Sequence, residues 1–326
     1  MVFIKKDLII LKKTQFKGVM MLLLTAFIWG SSFVAQSVGM DSVDAFTFNG
    51  VRTLMGAAVL LPFIFIRDMF AVKKLTTEER KNYKVFDKKT LIYGSVLGVI
   101  LCVATNFQQF AFYHSDSGKI AFISAFYMFF VPVFGLFIKK RVPFITWLCV
   151  AGGCLGMYFL CIDPSSAIAI NQGDFLAFIC SMFFALQILA IEKFAPDVDG
   201  IKLSCIQFAV SGLISCILMF IFEEPNVGNL LNATVPLLYS GIMSCGMAYT
   251  FQIVGQKYTE ATLASLLMCL ESVFGVLCGA ILLNESLTGR EIFGCIIMFI
   301  AIIFSQLSEL ITAKFRKHKK ADTHRK

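Results

Sequence analysis

The chain has 326 residues, 58% of them hydrophobic and only 15% charged, with a mean hydropathy of +0.79 and a formal net charge of +8. Soluble globular chains carry about 25% charge, so this composition excludes a water-soluble enzyme or binding domain. The 11 cysteines contain no C-x-x-C pair and read as small packing residues, not as a disulfide framework or thiolate metal site.

Apolar runs bounded by charge, turn residues or proline predict an all-α membrane protein with ten transmembrane helices, since a hydrocarbon core of about 30 Å requires about 20 apolar residues. The first span covers 17–37 and carries Trp29, Ser32 and Gln36 at i, i+3 and i+7. Its basic, then apolar start resembles a signal peptide; removing it would leave nine helices and break the alternation of charge between loops, so it reads as a retained span. The second, 44–66, holds Arg52, and a charged loop, 67–89, follows it. Thr105 and Gln108 lie on the third (90–113), Tyr127 on the fourth (117–138) and Gln187 on the sixth (172–192), while the fifth (143–162) and seventh (200–222) are largely apolar. The eighth (232–254) brings Cys245, Tyr249, Gln252 and Gln256 to one α-helical seam, the ninth (260–283) contains Glu271, and the tenth (289–311) precedes a basic tail, 312–326.

All of the 29 lysines and arginines except Arg52, Lys119 and Arg290 fall in the N-terminus, the even-numbered loops or the tail. Positive residues in short loops stay on the cytoplasmic side, so both termini of this multi-pass cell-membrane protein are expected in the cytoplasm. Topology thereby accounts for the excess of +8, and the basic tail reads as a contact with anionic lipid and not with nucleic acid.

A shift of 155 residues places "TAFIWGSSFVA" (Thr25 to Ala35) on "CSMFFALQILA" (Cys180 to Ala190) and "AFTFNGVRTLMGA" on "GIKLSCIQFAVSG". A shift of 144 places "ATNFQQFAFYHSD" (Ala104 to Asp116) on "AYTFQIVGQKYTE" (Ala248 to Glu260). Two copies of five spans follow, 1–162 and 163–311, and because five is odd the second enters the membrane from the opposite side. Such inverted repeats recur in proteins that rock two halves about a site near the bilayer midplane.

"AFIWGSSFVAQ", the arginine in "FNGVRTLMGAAVLLP", "HSDSGKIAFISAFYMFFVPVFG" and "TEATLASLLMCLESVFGVLCGAILLNESLTGREIFG" together resemble the EamA-type permeases of the drug/metabolite transporter superfamily. The resemblance runs from about Lys17 to about Leu310 and implies a 5 + 5 helical fold that moves small metabolites such as amino acids or their analogues. Ser272 stands where that family often has proline.

Polar side chains in lipid are costly, about 2.5 to 3.5 kcal/mol for a central charge, so they face a cavity or a neighbouring helix. Trp29, Ser32, Gln36, Thr105, Gln108, Gln187, Tyr249 and Gln252 are the expected lining of a shared cavity, with Tyr127, the counterpart of Glu271 at the 144 shift, opposite that carboxyl. The alternative is that the stripes only join helices by hydrogen bonds worth about 0.6 kcal/mol each. Glycine pairs such as Gly94 with Gly98 and Gly275 with Gly279 suit close helix packing within one chain. Arg52 lies about nine residues from the outer end of its span and Glu271 about eleven from the inner end of its own, roughly 13 and 17 Å, which places the two charges at similar depth. Glu271 is therefore the counter-ion of Arg52, a proton-carrying carboxyl, or a hydrogen-bonded structural residue.

No P-loop or HExxH motif is present and the three histidines are scattered, which argues against an enzyme, a cofactor or a metal site. The absence of an ATP-binding motif favours a secondary carrier or facilitator of a small-molecule substrate, with the proton as a candidate coupling ion. A channel and a non-transporting membrane scaffold are the competing classes.

Overall fold

The computed structural model describes residues 2–115, 117–140, 142–162, 171–282 and 288–305, with side chains from Gln15 onward except at 160, 161, 276 and 279–282. The basic tail 312–326 lies outside the described residues, as does the join between the two expected repeats at 163–170.

The chain forms α1 (Val2–Met40), α2 (Ala45–Val72), α3 (Thr77–Asn82), α4 (Lys88–Ala111), α5 (Ser117–Ser124), α6 (Tyr127–Phe137), α7 (Phe144–Cys161), α8 (Gln172–Phe194), α9 (Gly200–Phe222), α10 (Val227–Asn232) and α11 (Thr234–Leu238). A π-helical stretch, Tyr239–Tyr249, then leads into α12 (Thr250–Gln256), followed by α13 (Ala261–Met268), α14 (Leu270–Leu282) and α15 (289–305). Among the described residues there is no strand. Among the described residues, seven helices are long and apolar enough to cross a membrane: Gln15–Met40, Ala45–Val72, Lys88–Ala111, Ser117–Phe137, Gln172–Asp197, Gly200–Phe222 and Thr234–Gln256. Phe144–Phe159 and Ala261–Gly275 are shorter apolar helices.

Helix starts follow local chemistry. Asp87 accepts from the Thr90 amide, Asn171 and Asp174 form a reciprocal capping box, and Asp199 accepts from the amides of Ile201 and Lys202. Helices then approach closely at several glycines. A Cβ on Gly30 of α1 would stand 2.4 Å from the Glu271 carbonyl oxygen, and one on Gly50 of α2 2.7 Å from the Cys216 sulfur of α9. Gly212 of α9 meets Leu54 and Thr53 in turn, so α2 and α9 run antiparallel over their whole length.

Contacts recur in pairs at the sequence shifts. A Cβ on Gly18 would meet Thr259 Oγ1 at 2.7 Å and the Gly255 carbonyl at 2.9 Å; one on Gly173 would meet Ser115 Oγ at 2.8 Å and the Ala111 carbonyl at 2.7 Å. Gly173 is 155 residues after Gly18, while Ser115 and Ala111 are 144 before Thr259 and Gly255. The α5/α6 and α13/α14 runs are interrupted at the same relative place, because Ser117–Ser124 and Ala261–Met268 begin and end 144 residues apart. No proline is needed for the second interruption: Ser272 donates its amide to Cys269, three residues back, in place of the α-helical bond.

Candidate functional site

Beside these two interruptions lies a cavity lined by Trp29, Phe33, Gln36, Arg52, Gln108, Ser124, Tyr127, Phe184, Gln187, Ile188, Ser244, Tyr249, Gln252 and Glu271. It gathers side chains from α1, α2, α4, α5, α6, α8, the π-helical stretch, α12 and α14. Its volume is about 30 Å³, room for about two water molecules. Sites for whole solutes span about 300–1,000 Å³, so in this conformation the cavity is closed to a whole solute.

The residues expected to line a cavity reach it with two exceptions. Ser32 is fully buried, with an Oγ that has no hydrogen-bond partner, and is not in the lining. Thr105 turns its hydroxyl back to the Leu101 carbonyl at 2.8 Å, the intrahelical bond that threonine commonly makes when no polar partner faces it.

Aromatic rings form one wall. Trp29 lies against Tyr249, ring centroids 4.6 Å apart at 59°, and Tyr249 meets Phe208 edge-on at 5.7 Å. Amides form another: Gln252 Nε2 donates to Gln187 Oε1 at 3.3 Å, and Gln108 Nε2 to Ser124 Oγ at 3.3 Å. Trp29 Nε1, Gln36 Oε1, Gln187 Nε2 and Gln252 Oε1 are buried without a partner. Orphaned donors and acceptors around a cavity are costly unless water or a ligand satisfies them, so this wall is chemically unfinished.

The two intramembrane charges share the cavity without touching. Glu271 is 4% exposed and accepts a hydrogen bond from Tyr127 Oη at 3.0 Å through Oε1. The Cys269 thiol donates to the Ala125 carbonyl at 3.6 Å, so both contacts across the interruptions join residues 144 apart. Arg52 is 3% exposed; its Nε donates to Asn49 Oδ1 at 2.7 Å, and its guanidinium stands 5.3 Å from the centre of the Phe48 ring. Ion pairs among the described residues include neither Arg52 nor Glu271. The counter-ion reading of Glu271 is thus absent from this conformation, although both charges line the same cavity.

Sequence reasoning missed Phe33, Ser124, Phe184, Ile188 and Ser244 as lining residues. Phe184 and Ile188 had a signal, for they sit 155 residues after Trp29 and Phe33. Ser244 was displaced from the expected seam by the π-helix: its i→i+5 bonding brings Ser244 into line with Tyr249. Cys245, chosen at α-helical spacing, packs on Gly56 of α2 instead.

The model of the EamA-like transporter family matches residues 16–162 and, separately, 171–307. An uncharacterized transporter of Archaeoglobus fulgidus is 27% identical over 292 residues, covering 88% of this chain and 84% of that protein. An uncharacterized transporter of Bacillus subtilis, YoaV, is 23% identical over 285 residues, covering 85% and 92%. A crystal structure of a protein 15% identical in sequence superposes with a TM-score of 0.69 over 89% of this chain and 96% of its own, a likeness of fold.

Proposed function

The chain belongs to the EamA-like transporter family, and on that premise we propose that this multi-pass membrane protein is a secondary carrier of small metabolites, amino acids or their analogues, working by alternating access through the central cavity. The observation that carries the reading is the cavity itself, where aromatic faces, unsatisfied amides and two unpaired charges converge in the interior of an apolar bundle. Rings hold the apolar part of a solute by stacking, while amides and charges fix its polar ends.

The halves 1–162 and 163–311 are proposed as inverted five-helix repeats, completing ten membrane helices. Four kinds of pairing support this: the glycine contacts of Gly18 and Gly173, the coincident interruptions, the bonds between residues 144 apart, and the two separate family matches. Residues related by a two-fold axis touch each other only at that axis, so Tyr127 with Glu271 and Ala125 with Cys269 would mark it. Both termini are proposed to be cytoplasmic, following the distribution of lysine and arginine.

Glu271 is proposed as the point where a coupling proton enters. It is a buried carboxyl with a neutral donor as its partner, the kind of group that marks proton paths in membrane carriers. Glu271→Gln should then keep solute-for-solute exchange and lose acceleration by a pH gradient; retained acceleration removes the proton from the account. The carrier reading is tested by an untargeted comparison of metabolites in medium and cytosol, with the wild-type protein and with Trp29→Ala, Gln108→Ala or Gln252→Ala at equal abundance. A small set of related solutes should redistribute in the wild type and less in the variants, and the absence of any redistribution would contradict the carrier.

A further inference from the structure

An arginine buried in the interior of a membrane protein is costly, and removing such a charge from water is offset only by a partner of opposite sign. Arg52 has the positioning that such a partner would require but not the partner. Its Nε is taken by Asn49 Oδ1 at 2.7 Å. Asn49 is itself held, with no exposure to solvent, by bonds from its Nδ2 to the Thr105 carbonyl at 2.9 Å and to Asn106 Oδ1 at 3.0 Å. Asn106 in turn donates to Ser215 Oγ at 2.9 Å, so α2, α4 and α9 together fix the acceptor that Arg52 uses. The Phe48 ring, 5.3 Å from the guanidinium carbon, adds a cation–π contact. Arg52 belongs to the cavity lining, and no carboxylate of the described residues reaches it within ion-pair distance.

We propose that Arg52 is a carboxylate subsite, specificity-determining for solutes that carry a carboxyl group, and that Asn49 is its positioning residue. The inference rests on the cavity being the solute site. A guanidinium held at Nε presents its two terminal nitrogens as a planar fork, which matches a carboxylate through two parallel N–H···O bonds. Bound, the solute's carboxylate supplies the counter-charge that Arg52 lacks. Glu271, engaged with Tyr127 on the same cavity, does not compete for it in this conformation. The solute's carboxyl end is therefore directed to α2.

The test uses sodium formate as the probe, a carboxylate small enough for the closed cavity, with sodium chloride as the salt control. The chain has two tryptophans, Trp29 and Trp147, so the full-length protein with Trp147→Phe reports the cavity through Trp29 fluorescence. Formate should give a saturable change that chloride does not. Arg52→Gln should raise the half-saturating concentration at least about tenfold, the equivalent of about 1.4 kcal/mol. Arg52→Lys, which keeps charge but not the fork, should fall between the two. Asn49→Ala should raise it several-fold in the wild-type background and have no further effect in the Arg52→Gln background, a non-additivity that a general packing defect does not produce. A response equal in wild type and Arg52→Gln, or no saturable response in folded wild type, overturns the subsite. If formate binds as described but no metabolite flux is found, the subsite stands and the carrier reading fails. If flux of carboxylate solutes persists at wild-type affinity in Arg52→Gln, the carrier stands and the subsite fails.

Discussion

The two ends of the α2–α9 pair have the same geometry and opposite chemistry. At one end, Glu223, just past the last turn of α9, accepts from the amides of Phe46 and Thr47 and from the Thr47 hydroxyl, all at 2.8 Å. A carboxylate at the start of α2 meets free amides and the positive end of the helix dipole, and needs no basic side chain. At the other end, Asp68, in the last turns of α2, reaches the start of α9, where Lys202 Nζ stands 2.6 Å from its Oδ2. Asp68 is 155 residues before Glu223, and Lys202 is 155 after Thr47, so an amide-and-hydroxyl clasp at one end corresponds to an ion pair at the other. Around the ion pair, Arg67 bonds both Asp68 and Asp199, at 3.1 and 2.9 Å, and Lys202 also donates to Tyr83 Oη at 3.1 Å. Tyr83 belongs to the loop 67–89, and burial beside Asp68 raises its phenol above the ordinary value. If the halves are equivalent as proposed, the two clasps stand at corresponding positions and differ in chemistry, amides and a hydroxyl meeting the carboxylate at one end and lysine and arginine meeting it at the other.

The largest way to break the equivalence is Lys202→Met. It removes the nearer of the two cations on a nearly buried carboxylate and leaves Arg67, for Asp68 and Lys202 side chains are only 7% and 10% exposed, and should cost up to about 3 kcal/mol in equilibrium unfolding in lipid micelles. Adding Asp68→Asn should recover part of that loss; a double variant as weak as the single one would mean that the pair is not what holds this end. Next in size, Gly18→Ala and Gly173→Ala should each cost about 1–3 kcal/mol, because each Cβ would overlap a hydroxyl and a carbonyl. Their costs should agree to within about 1 kcal/mol, and one tolerated while the other unfolds the protein would count against equivalent halves. Glu223→Gln should cost about 1–2 kcal/mol by weakening charge-assisted bonds to amides, with little dependence on salt. Smallest is Lys89→Ala, which removes the exposed pair with Asp197 at 2.8 Å. Only a marginal loss is expected at low salt, fading at 1 M salt where screening acts over about 3 Å. A salt-sensitive Glu223 and a salt-insensitive Lys89 would reverse the contrast between the ends.

Much of this arrangement was legible in the sequence because it depends on periodicity. Ten spans were expected from the hydrophobic runs, seven helices long enough to cross a membrane are found among the described residues, and the 155 and 144 shifts paired Trp29 with Phe184 and Tyr127 with Glu271 before any contact was known. Arg52 and Glu271 could be expected at similar depth from span lengths alone. Whether they touch could not, since a few ångströms of lateral separation leave depth unchanged. Ser32 kept its helical stripe yet missed the lining, and Ser244 entered through a π-helical register that an α-period does not describe. The Asn49 support of Arg52 was visible as an i, i+3 pair, but the outer bonds to Asn106 and Ser215 join residues far apart in the chain.

Counterflow in proteoliposomes tests the central claim most directly, using the solutes that redistribute in cells and comparing the wild type with Arg52→Gln and Gln252→Ala. Saturable uptake, accelerated by solute preloaded on the far side and weakened at either cavity position, is the predicted result. Flux that rises linearly with concentration and ignores preloading would mean a pore, and saturable flux unchanged in both variants would place the transport site outside this cavity.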